Sequence, residues 1–116
     1  MRVGEINIIC RDLEVSRAFY CDMLGFEALE YEGPEALHCR CSNARLLLLA
    51  VAKEAAPAAA YCHHACVSFD IITPDLAALV ERLKASGATF AQEFNGSCAF
   101  VYDPDGNVVE MLQDGI

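Results

Sequence analysis

The feature that most restricts how this chain can fold is an internal repeat. Asp12-Leu13 opens a helix-patterned stretch that closes at Gly25, and Asp75-Leu76 opens another that closes at Gly87, about 62 residues later with one gap. Self-similarity at such a period marks two copies of one supersecondary unit. Strand signals flank each helix in the same order. Residues 3–10 alternate and are rich in isoleucine, which puts Ile6, Ile8 and Cys10 on one face and Glu5, Asn7 and Ile9 on the other. Residues 26–31, 36–41 and 45–51 follow the first helix as strands, the last of them apolar on both faces. In the second half, residues 66–72 precede the helix, and 88–92, 98–102 and 107–112 follow it. The chain therefore reads as β-α-β-β-β twice in one α+β domain. Residues 1–51 form the first module, the alanine-rich 52–62 a linker, and 63–116 the second module. One helix covers only one face of a sheet, so the other face is where function is expected.

Local signals sharpen the outline. Asp12 is the expected N-cap of the first helix, with Glu14 in its first turn and Val15, Phe19 and Met23 as its apolar stripe, flanked by Tyr20 and Leu24. Thr73 is the expected N-cap of the second, with Pro74 at its first position and Leu76, Leu79, Val80 and Leu83 facing inward. Asp103-Pro104-Asp105-Gly106 is a turn signal with a mechanism: Pro104 fixes its own φ and Gly106 accepts a positive one. In the strand that follows, Val109 and Met111 face one way and Val108, Glu110 and Leu112 the other. A carboxylate on an inward face needs a partner, a metal or a ligand; on an open face it is simply solvated.

Composition narrows the function classes. The 116 residues are 55% hydrophobic with a mean hydropathy of +0.29, enough for a full core. No apolar run approaches the roughly 20 residues that span a bilayer, and the first residues lack a signal peptide's apolar segment, so a cytoplasmic protein is expected. The seven cysteines (10, 21, 39, 41, 62, 66 and 98) include no CxxC pair and read mostly as reduced, buried thiols. The net charge of −9 argues against nucleic acid and anionic membranes and favours a neutral or cationic ligand.

Phe19-Tyr20-Cys21-Asp22-Met23-Leu24-Gly25-Phe26, preceded by Asp12-Leu13-Glu14, together with Asp103-Pro104-Asp105-Gly106-Asn107 and Glu110, resembles the vicinal oxygen chelate superfamily. That superfamily comprises the glyoxalases, the bleomycin and fosfomycin resistance proteins and the extradiol dioxygenases. The resemblance runs from the first strand to the last. It implies that the two modules curl into one mixed-sheet cup with the helices outside, and that the protein is a homodimer. Metal-dependent members place a histidine at the head of a module's first strand and a glutamate at Asn-x-x-Glu. The first-module position falls on Glu5. The second falls on Ser68, Cys66 or His64, depending on how Thr73-Pro74 is aligned, and Glu110 matches directly. A further ligand position falls within Leu46-Leu47-Leu48-Leu49, which offers a metal nothing. The metal set implied is thus Glu5, Cys66 or His64, and Glu110, for zinc, nickel, manganese or iron. Its alternative is a Glu110 carboxylate without metal, Glu5 paired or exposed, and Cys66 buried.

Asn7, His38, Arg40, Leu47, Phe100, Tyr102 and Glu110 are the candidate ligand-binding residues. Alternation along Cys39-Arg40-Cys41 sends both thiols to the core and Arg40, with His38, to the opposite face. Cys62-His63-His64-Ala65-Cys66 looks like a local zinc site, but in extended chain its outer thiols lie about 13 Å apart. Two functions follow. The first is a pocket that binds a small neutral or cationic molecule without a cofactor, as in drug sequestration. The alternative is a divalent-metal lyase or dioxygenase in which the metal polarises vicinal oxygens and a carboxylate moves a proton.

Overall fold

A computed structural model describes residues 1–57, 63 and 65–115 and divides them into two compact units, Met1–Ala55 and Ala56–Ile116. In the first unit, β1 (Ile6–Cys10) leads to α1 (Leu13–Arg17), which continues into a π-helical segment (Ala18–Met23); β2 (Glu27–Glu32), β3 (Ala36–Cys41) and β4 (Ala44–Ala50) follow. The strands lie in the order β1-β4-β3-β2, with β1 parallel to β4 and the other pairs antiparallel. The second unit has β5 (Phe69–Thr73), α2 (Leu76–Ala85), β6 (Phe90–Gln92), β7 (Cys98–Tyr102) and β8 (Val108–Gln113), in the equivalent order β5-β8-β7-β6. The repeat is therefore two copies of β-α-β-β-β.

Each sheet buries one face. Under α1 lie Ile8, Cys10, Leu37, Cys39, Leu46 and Leu48; in the second unit Leu76, Leu79, Val80 and Leu83 of α2 are buried, as are Ala99, Val101, Val109 and Met111 on one face of the sheet. The Asp103 side chain organises the β7–β8 turn. Its Oδ1 accepts from the backbone N–H groups of Asp105 and Asn107 at 2.8 Å each, and its Oδ2 accepts from Asn107 Nδ2 at 2.9 Å. Gly106 has φ +88, and a Cβ there would lie 3.3 Å from the Ala56 Cβ, so both torsion and space call for glycine.

Four expectations need correction. β1 and β5 start three residues later than alternation suggests. The register that sets Phe69 opposite Val109 would place Cys66 and Val67 against the Gly106-Asn107 turn, which has no strand ladder to offer. Cys66 is consequently exposed, not buried. Val15 is half exposed: α1 changes to a π-helix at Ala18, so the inward row becomes Leu13, Ser16, Phe19 and Tyr20. Cys41 shares the face of Cys39 but lies at the strand's end and is exposed.

The fourth concerns α2. Its N-cap is Asp75, whose carboxylate accepts from the Ala78 N–H at 3.0 Å, as Asp12 accepts from Glu14 and Val15 in α1. Thr73 is the last residue of β5, and Gln113 supplements the cap by accepting from the Leu76 N–H at 2.9 Å. Asp75→Ala should cost about 1 kcal/mol in urea unfolding and Thr73→Ala distinctly less. The reverse order would return the cap to Thr73.

Candidate functional site

The faces opposite the helices carry the polar chemistry, and strand register arranges it in rows. In the first unit Asn7, Leu47 and His38 lie side by side across β1, β4 and β3. Glu5, just before β1, closes over this row. Its Oε2 accepts from His38 Nδ1 at 2.7 Å and lies 3.8 Å from Arg45 Nε. The other ring nitrogen of His38 is 3.9 Å from Glu32 Oε1, an ion-pair separation and not a hydrogen bond. His38 is mostly shielded from water. The hydrogen bond to Glu5 raises its pKa above the ordinary 6.5; burial opposes this, and the charges of Glu5, Glu30 and Glu32 add to it. Arg40 is exposed and paired with Glu27 of the edge strand at 2.9 Å, away from the row.

In the second unit the equivalent row is Asp70, Glu110 and Phe100 across β5, β8 and β7. Beside it run Ile72, Leu112 and Cys98, the strand part of a shallow depression of about 290 Å³ completed by Ser97, Gln113, Asp114 and Gly115. Tyr102 and Val108, both half-buried, continue the face at the other end. Sequence reasoning placed Phe100, Tyr102 and Glu110 correctly on one face but missed Asp70. Only the parallel β5–β8 register reveals that pairing. It also missed Arg45 and Glu32 as partners of the Glu5–His38 pair; the lone arginine ahead of four leucines was the available signal.

Neither row converges on a metal in its own unit. The two nitrogens of His38 point in opposite directions, one to Glu5 and one towards Glu32, so these three donors cannot share one ion. Among the described residues, no three His, Cys, Asp or Glu side chains form a group able to hold one. Of the expected metal set, His64 lies outside the described residues, as does Cys62 of the neighbouring cluster.

The sequence matches the Glyoxalase/Bleomycin resistance protein/Dioxygenase superfamily over residues 2–111, and the chain belongs to that superfamily. No curated protein matches it by sequence. It is similar to solved structures of the fosfomycin resistance protein FosX from Listeria monocytogenes (TM-score 0.75, 19% identity, covering 96% of this chain and 90% of that one) and of a glyoxalase/dioxygenase from Nostoc punctiforme (0.75, 19%, 99% and 92%). It is likewise similar to a lactoylglutathione lyase from Agrobacterium tumefaciens (0.67, 24%, 97% and 93%). These likenesses establish the tandem-module fold. Among the described residues, no helix is long and apolar enough to cross a membrane.

Nuclear magnetic resonance titration of His38 should give a pKa above 6.5 that falls towards it in Glu5→Gln. A pKa raised by folding means that protonated His38 stabilises the native state fully below about pH 6.5. That contribution is lost as pH rises through the folded-state value. Glu5→Gln should therefore flatten the pH dependence of urea stability on the alkaline side of pH 6.5.

Proposed function

We propose that this chain binds a small neutral or cationic organic molecule on its open sheet faces, in the manner of a sequestering protein and without a bound cofactor. The observation that carries the reading is the row Asp70–Glu110–Phe100. Two carboxylates stand on adjacent strands in direct register beside an aromatic ring. Like charges so placed repel, and none of the ion pairs among the described residues involves either carboxylate. A ligand cation would relieve that repulsion, and the Phe100 ring offers it a π-face and apolar area. Ile72, Leu112 and Cys98 supply an adjoining surface for an apolar body. The same acidic row disfavours an anionic ligand such as a phosphonate. The superfamily resemblance favours a homodimer as the binding species, and the sequence composition a cytoplasmic one.

A second reading, a divalent-metal lyase or dioxygenase, draws support from the names of the lyase and dioxygenase structures and from Glu110 at the Asn-x-x-Glu position. It would use Glu110 with Glu5 and Cys66 or His64. One screen separates the two. Purified untagged protein is tested by calorimetry against aromatic amines, neutral aromatics, and zinc, nickel, manganese and iron salts. Binding of an organic cation that weakens about three- to tenfold in Glu110→Gln and in Phe100→Ala supports the pocket. Stoichiometric metal binding abolished by Glu110→Gln would replace it with the enzyme.

A further inference from the structure

The π-helical segment and β3 bring two thiols together. Cys21 and Cys39, 18 positions apart in sequence, have their sulfurs 3.6 Å from one another, in hydrogen-bonding contact. Neither belongs to the candidate ligand face: Cys39 points to the helix side of the sheet, opposite His38 and Arg40. The π-helix produces the approach, since its Leu24 N–H donates to the Phe19 carbonyl five residues back and so widens the turn that holds Cys21. The two thiols differ in access. Cys39 is fully buried, whereas Cys21 is half-buried.

We propose that Cys21 and Cys39 form a dithiol modification site, in which a hydroperoxide oxidises Cys21 and Cys39 resolves it to an intramolecular disulfide. In the first step the Cys21 sulfur attacks the peroxide O–O bond, giving a sulfenic acid and one molecule of alcohol or water. In the second, the Cys39 sulfur displaces hydroxide from that sulfenic acid. The hydroxide leaves as water with the Cys39 thiol proton. Two thiols are oxidised by two electrons and one peroxide is reduced. Side-chain rotation must close the sulfurs from 3.6 Å to a bond of about 2.05 Å, with no partner brought from elsewhere. Burial pushes both thiols above their ordinary value, Cys39 to about 12, while the hydrogen bond with Cys39 works against the rise at Cys21, so Cys21 is the more readily ionised of the two and the one that meets the peroxide.

The sequence makes the test direct. Trypsin cleaves after Arg17 and Arg40, so residues 18–40 form one peptide containing only these two cysteines, while exposed Cys41 falls alone in residues 41–45. The full chain is treated with hydrogen peroxide, quenched, denatured, alkylated with N-ethylmaleimide, digested and weighed. The expected product is an 18–40 peptide two hydrogen masses light and free of maleimide, restored to two maleimides by prior dithiothreitol. Cys21→Ser should leave Cys39 alkylated; because Cys21 is only half-buried, this change spares the core. An 18–40 peptide carrying two maleimides at a peroxide dose that has already oxidised Cys41 would overturn the proposal. So would a cross-link joining 18–40 to 41–45, which would assign the pairing to Cys41.

Discussion

Everything in this molecule follows from one-sided packing. A single helix capped by an aspartate lies against a four-stranded sheet and buries one face of it. In the first unit Leu13, Ser16, Phe19 and Tyr20 are buried with a row of aliphatic and thiol side chains; in the second, Leu76, Leu79, Val80 and Leu83 are buried with Ala99, Val101, Val109 and Met111. The two caps, Asp12 and Asp75, set where each helix starts and hence which residues turn inward. Because the strands alternate, fixing the buried face also fixes the residues left on the other. The polar rows are therefore consequences of the core and need no separate device to orient them.

What could be read from the chain depended on whether the signal was local. Helix stops at Gly25 and Gly87, the β7–β8 turn, the inward stripe of α2 and the faces of β7 and β8 are encoded within a few residues, and all stand in the structure as the pattern implies. Val15 misled because a 3.6-residue period was carried through a segment that is π-helical. Thr73 misled because Thr-Pro is a good helix opening in isolation, whereas here Thr73 completes the β5–β8 ladder and Asp75 is left to cap. Cys66 misled because alternation cannot show where the neighbouring strand ends.

The candidate site was legible by face and illegible by partner. Glu5 and His38 are 33 positions apart and meet only because β1 and β3 flank β4, so their hydrogen bond has no sequence signature. Asp70 carries no special local pattern either; its meaning comes from the parallel strand beside it. Cross-strand chemistry of this kind needs register, and register is the last thing a single sequence yields.

Topological equivalence makes the contrast between the two units informative. Asn7, Leu47 and His38 occupy the same positions in their sheet as Asp70, Glu110 and Phe100 in the other. The first row has an aliphatic centre, and its charges are drawn into internal pairs: Glu5 to His38 and Arg45, with Arg40 held by Glu27. The second has an acidic centre with an aromatic flank and no such internal neutralisation among the described residues. Two copies of one scaffold thus carry different charge arrangements at equivalent positions. The first pairs Glu5 and Glu27 with its own cationic side chains. The second sets Asp70 and Glu110 side by side on the face opposite α2, where the proposed function would place a ligand cation.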